Sequence, residues 1–356
     1  MHFPFCSQKC SYCDFYSTTQ SFLGYGKLLI KELQLKQKWF ETLQFNTLYF
    51  GGGTPSLMPL NELEEFLSFL NTLYPIEKLQ EITLEVNPET LTLQKAKALK
   101  DLGINRLSLG IQSFNPEILK KIGRQASLKQ NIKALEITPL VFNNFSVDFI
   151  YGIKNQKIEL ELENLKALHP PHISAYALTL DSQVPLAKKK EDLLPSDKKV
   201  NEDFYLIHSF LKNQGYQHYE ISNYGKESFF SAHNLHYWKG HFYLGLGAGA
   251  SGYVKKERYI NNTLLDYQKN LLNNKDPVLE KDFLTNKDLQ IETFLLGLRL
   301  QEGVQVPFLK ENPLLLDLVK EFEEQGLLIV AEEKLKPTLK GWTLLDHMLK
   351  NIYFLL

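Results

Sequence analysis

Cysteine is scarce in this 356-residue chain, and it is confined to one place. The three cysteines are Cys6, Cys10 and Cys13, and residues 14–356 contain none. An odd number of thiols in one short stretch cannot form a disulfide framework, which excludes the class of small secreted proteins held together by disulfides. Free thiols are typical of a reducing compartment, so we expect a cytoplasmic protein.

An excess of charge of either sign is also missing. The formal net charge is −1, so the chain lacks the excess of basic residues that would bind nucleic acids or anionic lipids. No apolar run approaches the roughly 18–20 residues that span a bilayer. Because the cysteines begin close to Met1, we also expect no signal peptide. We therefore predict no nucleic-acid partner and no integral membrane segment.

Arginine is rare as well. It occurs only at Arg106, Arg124, Arg258 and Arg299, and lysine supplies the other positive charges. A guanidinium is planar and can donate two parallel hydrogen bonds, which a lysine cannot reproduce. The four arginines are therefore candidates for specific contacts.

The cysteines that are present have the spacing C-x3-C-x2-C. Three thiolates on a tight loop can hold a metal cluster, and they are one short of the four ligands that a 4Fe–4S cluster accepts, so one iron would stay open. Two other interpretations remain. The cysteines could be small buried hydrophobic residues, or they could hold zinc together with His2, although zinc sites more often use C-x2-C pairs with distant partners.

Short apolar runs alternate with amphipathic stretches up to about residue 180. The pattern predicts strands at 47–50, 82–86, 107–111, 145–150 and 173–178. It predicts helices at 22–40, 60–73, 93–102, 116–122 and 158–168. Such βα repeats form a parallel sheet whose strands are buried on both faces and which curls into a barrel or part of one. Ligands then bind at the carboxyl ends of the strands, where Cys6, Gly51, Glu85, Gln112 and Asp148 fall.

The last part of the chain has a different pattern. We divide the sequence into residues 1–260, which hold the barrel and an extension rich in aromatic residues and glycine, and residues 261–356. Helices are predicted at 289–300, 313–325 and 338–352, with a hairpin formed by 326–330 and 334–337. This order is winged-helix-like, but the acidic stretch 320–324 argues against DNA binding and favours a structural or docking role.

Residues 51–55, Glu85 and Asp148 lie near the predicted strand ends and are candidates for binding a ligand. Residues 51–55 read G-G-G-T-P, and glycines there permit close approach of a ligand, although a tight turn is the simpler interpretation. Glu85 could accept hydrogen bonds from a ligand or could be a solvated strand end. Asp148 lies in an apolar strand, where an unpaired carboxylate is costly, so it should be functional or paired.

The cysteine spacing and the G-G-G-T-P string resemble the radical S-adenosylmethionine (SAM) superfamily. Residues 110–114 (G-I-Q-S-F), Asn131 and residues 147–152 (V-D-F-I-Y-G) resemble one branch of it. That branch contains oxygen-independent coproporphyrinogen III oxidase and the HemW-type heme chaperones. The resemblance implies a partial (β/α)6 barrel with a small, mostly helical, winged-helix-like C-terminal domain.

The resemblance also implies the cofactors and their residues. Cys6, Cys10 and Cys13 would ligate a 4Fe–4S cluster, and Tyr12 would lie near the adenine of SAM. The residues that would line the SAM site are Gly52, Gly53, Thr54, Glu85, Gln112, Arg124 and Asp148. In the superfamily a flavodoxin or ferredoxin reduces the cluster, and cleavage of the sulfonium then yields a 5′-deoxyadenosyl radical.

Within that branch the residues favour the heme chaperone. The oxidase carries a further cysteine two residues after the third, and here that position is Phe15. Residues 233–238 read H-N-L-H-Y-W and resemble the H-N-x-x-Y-W signature of the chaperones. The resemblance makes His233 a candidate axial ligand of heme, with Tyr237 and Trp238 as flat walls for the porphyrin.

The role of His233 has an alternative, which is a hydrogen-bonded histidine in an aromatic patch. His236, His241 and His218 are weaker candidates for the iron ligand. The string G-L-G-A-G-A-S-G at 245–252 imitates a dinucleotide fingerprint, but it does not open a βαβ unit, so close packing of the chain explains it better.

We therefore expect a protein of porphyrin metabolism that binds heme and passes it to a respiratory hemoprotein, reaching the inner membrane through that partner. We expect no coproporphyrinogen oxidase activity. The alternatives are the oxidase itself, which converts coproporphyrinogen III to protoporphyrinogen IX, and a radical enzyme that acts on heme.

Overall fold

A computed structural model describes residues 1–20, 23–331 and 334–355. The strands are β1 His2–Phe3, β2 Thr47–Gly52, β3 Glu81–Val86, β4 Arg106–Gln112, β5 Phe145–Tyr151, β6 His172–Ala177, β7 Gln217–Glu220, β8 Asn223–Gly225, β9 Ser251–Val254, β10 Glu257–Asn261, β11 Val278–Phe283, β12 Val304–Gln305, β13 Leu328–Ala331 and β14 Lys334–Pro337.

The helices alternate with these strands in the first half of the chain. They are α1 Tyr25–Leu35, α2 Lys38–Thr42, α3 Leu60–Leu73, α4 Leu93–Asp101, α5 Pro116–Lys121, α6 Leu128–Ile137, α7 Ile158–Leu168, α8 Lys190–Leu193, α9 Asp197–Asn213, α10 Ala232–Trp238, α11 Leu264–Leu272, α12 Asn286–Gly297, α13 Pro313–Glu324, α14 Leu339–Thr343 and α15 Leu345–Leu355.

An eight-stranded sheet forms the larger part of the molecule, in the order β1-β2-β3-β4-β5-β6-β8-β7. Strands β1 to β6 are parallel, and β8 and β7 are added antiparallel at one edge. The predicted α/β class and partial barrel are confirmed. All five predicted strands are present, each within one or two residues of its predicted bounds.

The predicted helices differ from the observed ones in several places. Helices α8 to α11 were not predicted, and α12 begins and ends three residues before the helix predicted at 289–300. The helix predicted at 22–40 is two helices, α1 and α2, and its first residue, Phe22, lies outside the described residues. The helix predicted at 338–352 is also two, α14 and α15. Helix α6 was not predicted, although Ser127 caps it with a reciprocal Ser127–Gln130 capping box.

Strands β3 to β6 are largely buried on both faces, as predicted, but the two faces differ in chemistry. In β3, Ile82, Leu84 and Val86 belong to the apolar core. The alternate residues, Glu81, Thr83 and Glu85, face the other way because successive side chains of a strand point to opposite faces. The inner face of the partial barrel is therefore lined with polar groups, while the outer face packs under the helices.

Helix α10 lies against this inner face. The Glu81 carboxylate accepts hydrogen bonds from the backbone N–H groups of Ala232 (2.8 Å) and His233 (3.2 Å). These N–H groups begin the helix, where intrahelical acceptors are missing and negative charge is stabilising. The hydroxyl of Ser231 caps the same end by accepting from the backbone N–H of Asn234 at 3.3 Å.

The C-terminal region contains the predicted hairpin, β13 and β14, joined by β12 into a three-stranded sheet. A second small sheet, in the order β11-β10-β9, spans the predicted division at residue 260, because β10 pairs with β11. The division into residues 1–260 and 261–356 stays a prediction. Among the described residues, no helix is long and apolar enough to cross a membrane.

Candidate functional site

The three cysteines lie on the loop that follows β1. All three are free and half-buried. The loop is fixed by its backbone, since the N–H of Cys6 donates to the carbonyl of Thr18 at 2.9 Å and that of Cys13 donates to the carbonyl of Cys10 at 3.2 Å. The short β1 thus delivers the loop to the carboxyl-end rim of the sheet, as predicted for a ligand site.

The glycine string passes directly beside this loop. The N–H of Gly53 donates to the carbonyl of Phe3 at 2.8 Å. A Cβ atom at Gly53 would lie 2.9 Å from the Cys6 sulfur and 2.7 Å from the carbonyl oxygen of Phe5, closer than real Cβ atoms come. Glycine is required at this position because the backbone must approach the sulfur this closely.

Arg124 connects the cysteine loop to the rim of the sheet. Its Nη1 donates to the Cys10 sulfur at 3.6 Å, and its Nη2 donates to the Gly110 carbonyl at 2.7 Å and to Asn87 Oδ1 at 2.6 Å. Its Nε is buried and has no partner among the described residues. A guanidinium that touches a sulfur and keeps one buried donor unpaired suits a site for a further, electron-rich group.

Glu85 lies near the carboxyl end of β3. Its carboxylate accepts from the Tyr49 hydroxyl at 2.8 Å and from the Gly52 N–H at 3.2 Å. Burial raises the pKa of Glu85 to about 7, and the hydrogen bond from Tyr49 opposes that rise. The residue is thus poised between its charged and neutral forms at neutral pH.

Gln112 ends β4 in the left-handed region, at φ 68°. The side chain of Asn131 holds this turn by donating to the carbonyls of Ile111 (3.1 Å) and Ser113 (2.9 Å). Glu161 holds the next residues by accepting from the Ser113 hydroxyl and the Phe114 N–H. Asn131 and Glu161 therefore position Gln112, and Glu161 carried no signal in the sequence.

Asp148 is paired, as its apolar context predicted. Its carboxylate accepts from the Ser108 hydroxyl at 2.7 Å and the Ser146 hydroxyl at 2.9 Å. Ser146 also contacts His172 Nδ1 at 2.8 Å, and His172 Nε2 contacts the Tyr219 hydroxyl at 2.8 Å. Burial raises the pKa of Asp148, with the serine hydroxyls opposing.

Thr54 and Tyr12 flank the rim on either side. The Thr54 hydroxyl accepts from Asn87 Nδ2 at 3.2 Å, which links the glycine string to the partner of Arg124. Tyr12 packs on a small apolar cluster that includes Ile118 and Ile122. Burial raises the pKa of Tyr12.

His233 lies away from the cysteines, on the inner face near the start of β2. Its Nδ1 contacts the Thr47 hydroxyl at 2.7 Å, and its Nε2 contacts the Tyr237 hydroxyl at 3.1 Å. Its ring stacks on Tyr49 at a centroid distance of 4.8 Å. Burial lowers the pKa of His233 to about 3. The arrangement matches the alternative of a hydrogen-bonded histidine in an aromatic patch, because both ring nitrogens have partners.

Tyr237 and Trp238 point to different places. Tyr237 lines the same cavity as His233, whereas Trp238 lines a smaller cleft with residues of the C-terminal region. The guanidinium of Arg299 lies over the Trp238 ring at 5.4 Å from its centroid. Tyr237 can therefore form a wall of the larger cavity, whereas Trp238 cannot.

A cavity of about 920 Å³ runs along β2. One end is lined by Gly51, Gly52 and Glu85, and the other by His236, His241 and several aromatic side chains. This volume is in the range that holds cofactor-sized ligands. The cavity joins the predicted SAM site to the H-N-L-H-Y-W helix, a link that the sequence did not predict.

The donor set at the rim consists of three free thiols on one loop, which is the ligand type that an iron–sulfur cluster takes. Within residues 1–20, 23–331 and 334–355, no three His, Cys, Asp or Glu side chains converge as ligands of one ion would. A cubane cluster instead binds each thiolate to a separate iron, so its thiolates stand apart around it. The single-zinc alternative therefore gains no support.

The glycines at 245–252 serve close packing, as predicted. Gly247 has φ 102°, and a Cβ there would lie 2.2 Å from the His2 carbonyl oxygen. The N–H of Gly247 donates to the Glu32 carboxylate at 2.7 Å, and the N–H of Ala248 donates to the Tyr25 hydroxyl oxygen at 2.8 Å. This segment thus packs against β1 and α1.

Comparison with known proteins agrees with this geometry. A family model described as the radical SAM superfamily matches residues 1–165, and one described as the HemN C-terminal domain matches residues 284–344. The heme chaperone HemW of Lactococcus lactis is 35% identical, over 98% of this chain and 95% of that protein. The heme chaperone HemW of Bacillus subtilis is 30% identical, over 96% of this chain and 95% of that protein.

A solved structure has the same architecture. Coproporphyrinogen III oxidase (HemN) from Escherichia coli, described as a radical SAM enzyme, matches with a TM-score of 0.86 and 21% identity, over 100% of this chain and 89% of that one. At this identity the likeness concerns the fold. Taken together with the HemW relatives, it shows that the chain belongs to the radical SAM superfamily, among its HemN-like members and close to HemW.

Proposed function

We propose that this protein is a heme chaperone of the cytoplasm. It binds a 4Fe–4S cluster, SAM and heme, and it delivers heme to a respiratory hemoprotein. Contact with that partner brings the chaperone to the inner membrane. The observation that carries the proposal is the cavity of about 920 Å³ that joins the SAM rim to an aromatic, histidine-bearing pocket. The curated relatives of similar length that are named heme chaperones support it.

In this proposal Cys6, Cys10 and Cys13 ligate the cluster. The SAM site is formed by Tyr12, Gly52, Gly53, Thr54, Glu85, Gln112, Arg124 and Asp148. When bound and reduced by a flavodoxin or ferredoxin, the cluster supplies an electron for cleavage of the sulfonium. The chain's own part is to place Arg124 against Cys10 and to bring the backbone of Gly53 up to Cys6.

The heme end of the cavity involves residues 233–238. Tyr237 lines the cavity, and His233 holds the helix against β2. Trp238 is the last residue of α10, and its ring packs under the guanidinium of Arg299, outside this cavity. His233 and Tyr237 shape the pocket in which we place the porphyrin.

Phe15 distinguishes this proposal from the oxidase alternative. It stands where the oxidase has its fourth cysteine, and its side chain is 66% exposed. A phenyl ring can neither ligate iron nor transfer a proton, so a role of that thiol in decarboxylation is not available here. The position favours transport of heme over coproporphyrinogen chemistry.

The test is a heme titration of the full chain after anaerobic reconstitution of the cluster. We expect a Soret band that shifts on binding and saturates at a fixed heme-to-protein ratio. Absence of any shift would overturn the proposal. The same preparation is then incubated with SAM, reductant and coproporphyrinogen III, and formation of protoporphyrinogen IX would establish the oxidase instead.

Transfer is tested separately. Heme-loaded protein is mixed with the apo form of a respiratory hemoprotein, and the acceptor is isolated and its spectrum recorded. We expect heme to leave the donor and appear in the acceptor. Retention of all the heme by the donor, with a competent acceptor present, would contradict delivery.

A further inference from the structure

A chain of hydrogen bonds crosses the inner face of the sheet, from β5 to the start of α10. The Asp148 carboxylate accepts from the Ser146 hydroxyl at 2.9 Å, and the Ser146 oxygen lies 2.8 Å from His172 Nδ1. His172 Nε2 lies 2.8 Å from the Tyr219 hydroxyl, whose oxygen accepts from the backbone N–H of Ser231 at 3.1 Å. We call these five residues the inner-face chain.

The inner-face chain has one direction. The backbone N–H of Ser231 can only donate, so the Tyr219 oxygen accepts from it and the Tyr219 O–H donates to His172 Nε2. Burial and the nearby Arg106 guanidinium lower the pKa of His172 well below its ordinary value, so the ring is neutral. Its one proton therefore lies on Nδ1 and is donated to Ser146, which in turn donates to Asp148. Every bond thus points toward the carboxylate.

Asp148 is the end of the chain that a ligand can reach. Of the seven residues of β5, it is the one that is not fully buried. It pairs with Gly110, whose carbonyl accepts from Arg124 at the rim. SAM carries hydroxyl and ammonium donors, and a carboxylate is a strong acceptor for both. A ligand of this kind that donates to Asp148 acts directly on one end of the chain.

The other end holds the amino end of α10. Ser231 is the residue before this helix, and its hydroxyl accepts from the backbone N–H of Asn234. Hydrogen bonds in series polarise one another, so negative charge on Asp148 makes the Tyr219 oxygen a better acceptor for the N–H of Ser231. The charge at the rim therefore helps to fix the helix that lines the heme end of the cavity.

Ser146 gives the chain two discrete arrangements. Its oxygen lies 3.0 Å from the Ser174 hydroxyl as well as 2.9 Å from Asp148. Its single proton can be donated to only one of the two. When a ligand donates to Asp148, the Ser146 proton can turn to Ser174, and the chain then loses its charged end. A two-state element of this kind is what coupling between two sites requires.

We propose that the inner-face chain couples the SAM site to the heme pocket, so that bound SAM lowers the affinity for heme. Ser146, His172 and Tyr219 are positioning residues that act through Asp148 at one end and Ser231 at the other. SAM at the rim weakens the hold on α10, and heme is released more readily to its acceptor. This inference rests on the proposed function, because it needs both sites.

The experiment is a ferric heme titration of the full chain with its cluster reconstituted, with and without saturating SAM. Reductant is left out, so that SAM is not cleaved. For wild type we expect heme to bind about fivefold more weakly when SAM is present, which is the lower end of typical couplings between sites. Heme should weaken SAM binding by the same factor, because such coupling is reciprocal.

Y219F breaks the chain with little change of shape. It removes the hydroxyl and keeps the ring that stacks on Phe230 at a centroid distance of 4.2 Å. We expect the ratio of heme affinities without and with SAM to fall from about five to about one. Y216F is the matched control, because it removes a buried hydroxyl that donates to the Pro170 carbonyl, outside the chain. It should keep the fivefold effect.

The ratio separates coupling from a structural role. A variant that only loosens the pocket weakens heme binding equally with and without SAM, and its ratio stays at about five. S174A is a second variant that does not depend on the folding of Y219F. It removes the alternative partner of Ser146, so its ratio should also fall toward one.

Three results would overturn the inference. These are a fivefold effect that persists in both Y219F and S174A, an effect that Y216F also loses, and wild type that binds heme equally well or more tightly with SAM. In each case, binding of heme by wild type leaves the proposed function standing. Failure of wild type to bind heme, with or without SAM, rejects the proposed function itself.

Discussion

At the scale of single residues, the site depends on short contacts between residues from different strands and loops. Arg124 joins Cys10, Gly110 and Asn87 through one guanidinium, and Glu85 joins Tyr49 to Gly52. Each of these groups has little freedom to move. Substitutions here should change cofactor binding before they change the fold.

Replacing one thiol tests the cluster. For C10S we expect loss of the brown colour and of the iron and sulfide that reconstituted wild type retains, because a hydroxyl is a poor ligand for a cluster held by thiolates. Iron, sulfide and visible absorbance are measured after anaerobic reconstitution. S7A, on the same loop, should retain the cluster, and a fully loaded C10S protein would contradict the assignment.

Arg124 should not be replaceable by lysine. R124K keeps the charge but loses the fork that reaches Gly110 and Asn87 while touching Cys10, so we expect SAM to bind about tenfold more weakly. Equilibrium binding of SAM to the reconstituted protein measures this. R258K, which alters the half-buried Arg258–Glu292 pair between β10 and α12, is the control and should have wild-type affinity.

Glu85 should make the cofactor-free protein less stable as pH rises. Its pKa is about 7 in the folded chain and lies near 4.5 when exposed, so the unfolded state releases the proton first. Stability from this group is complete below about pH 4.5 and is lost as pH rises through about 7. E85Q cannot ionise, so relative to wild type it should gain up to about 3 kcal/mol between those limits.

Urea unfolding of both proteins at pH 5 and pH 8 checks this expectation. At each pH we subtract the free energy of unfolding of wild type from that of E85Q, and we compare this difference at pH 5 and pH 8. The subtraction cancels the contributions of other titrating groups, such as Glu220, whose pKa burial also raises to about 7. An E85Q protein that gains no stability relative to wild type between the two pH values would contradict the burial of this carboxyl.

At the scale of elements, α10 is positioned by its amino end. The Glu81 carboxylate and the Ser231 cap fix its first turn, and His233 fixes its side against β2. Because His236 lies one turn further along the same helix, the anchoring at the amino end sets where His236 faces. The helix is the physical link between the sheet and the proposed heme pocket.

E81Q should therefore weaken two properties together. Loss of the negative charge at the helix start should cost roughly 1 kcal/mol in the free energy of unfolding. It should also lower heme affinity, because α10 is held less firmly. Urea unfolding and heme titration measure the two effects, with E117Q, at the first turn of α5, as control. An E81Q protein with wild-type heme affinity would show that this anchor does not matter for the pocket.

At the scale of the whole molecule, residues far apart in sequence close the site. The N–H of His2 donates to the Leu246 carbonyl at 2.7 Å, and Lys36 binds Glu32 at 2.6 Å and the Gly245 carbonyl at 3.0 Å. The strand that carries the cysteine loop is thus held by a segment more than 240 residues later. Stability of the barrel and order in the cysteine loop should depend on that contact.

Gly247 tests this dependence. G247A places a Cβ about 2.2 Å from the His2 carbonyl oxygen, so β1 must move, and we expect a loss of about 3 kcal/mol or more in the free energy of unfolding together with poor cluster retention. G215A is the matched control. Gly215 also has positive φ, at 81°, but nothing lies within 4 Å, so only the backbone strain of about 1 kcal/mol is expected.

Equal effects of the two glycine substitutions, measured by urea unfolding and by iron content, would show that packing against His2 contributes nothing. A larger effect of G247A on both measurements would show that the segment at 245–252 supports the cysteine loop.

Much of the fold was predictable because its signals are local. Apolar runs of four to six residues between amphipathic stretches specify the strands β2 to β6, and the helices α3 and α7 begin and end at their predicted residues. Helix α6 escaped notice because the loop before it reads as polar, although the capping box at Ser127 and Gln130 was a usable signal. The break between α1 and α2 contains no proline or glycine, so the spacing of apolar residues gave no sign that the helix is interrupted there.

The sequence by itself determined the class of the fold and the chemistry of the rim, because the spacing of the cysteines and the glycines after β2 are local properties of the chain. Only the tertiary structure decided that α10 lies on the inner face and that Thr47 contacts Nδ1 of His233. These facts depend on Glu81 and Thr47, which are more than 150 residues away in sequence, and no local pattern encodes a contact of that range.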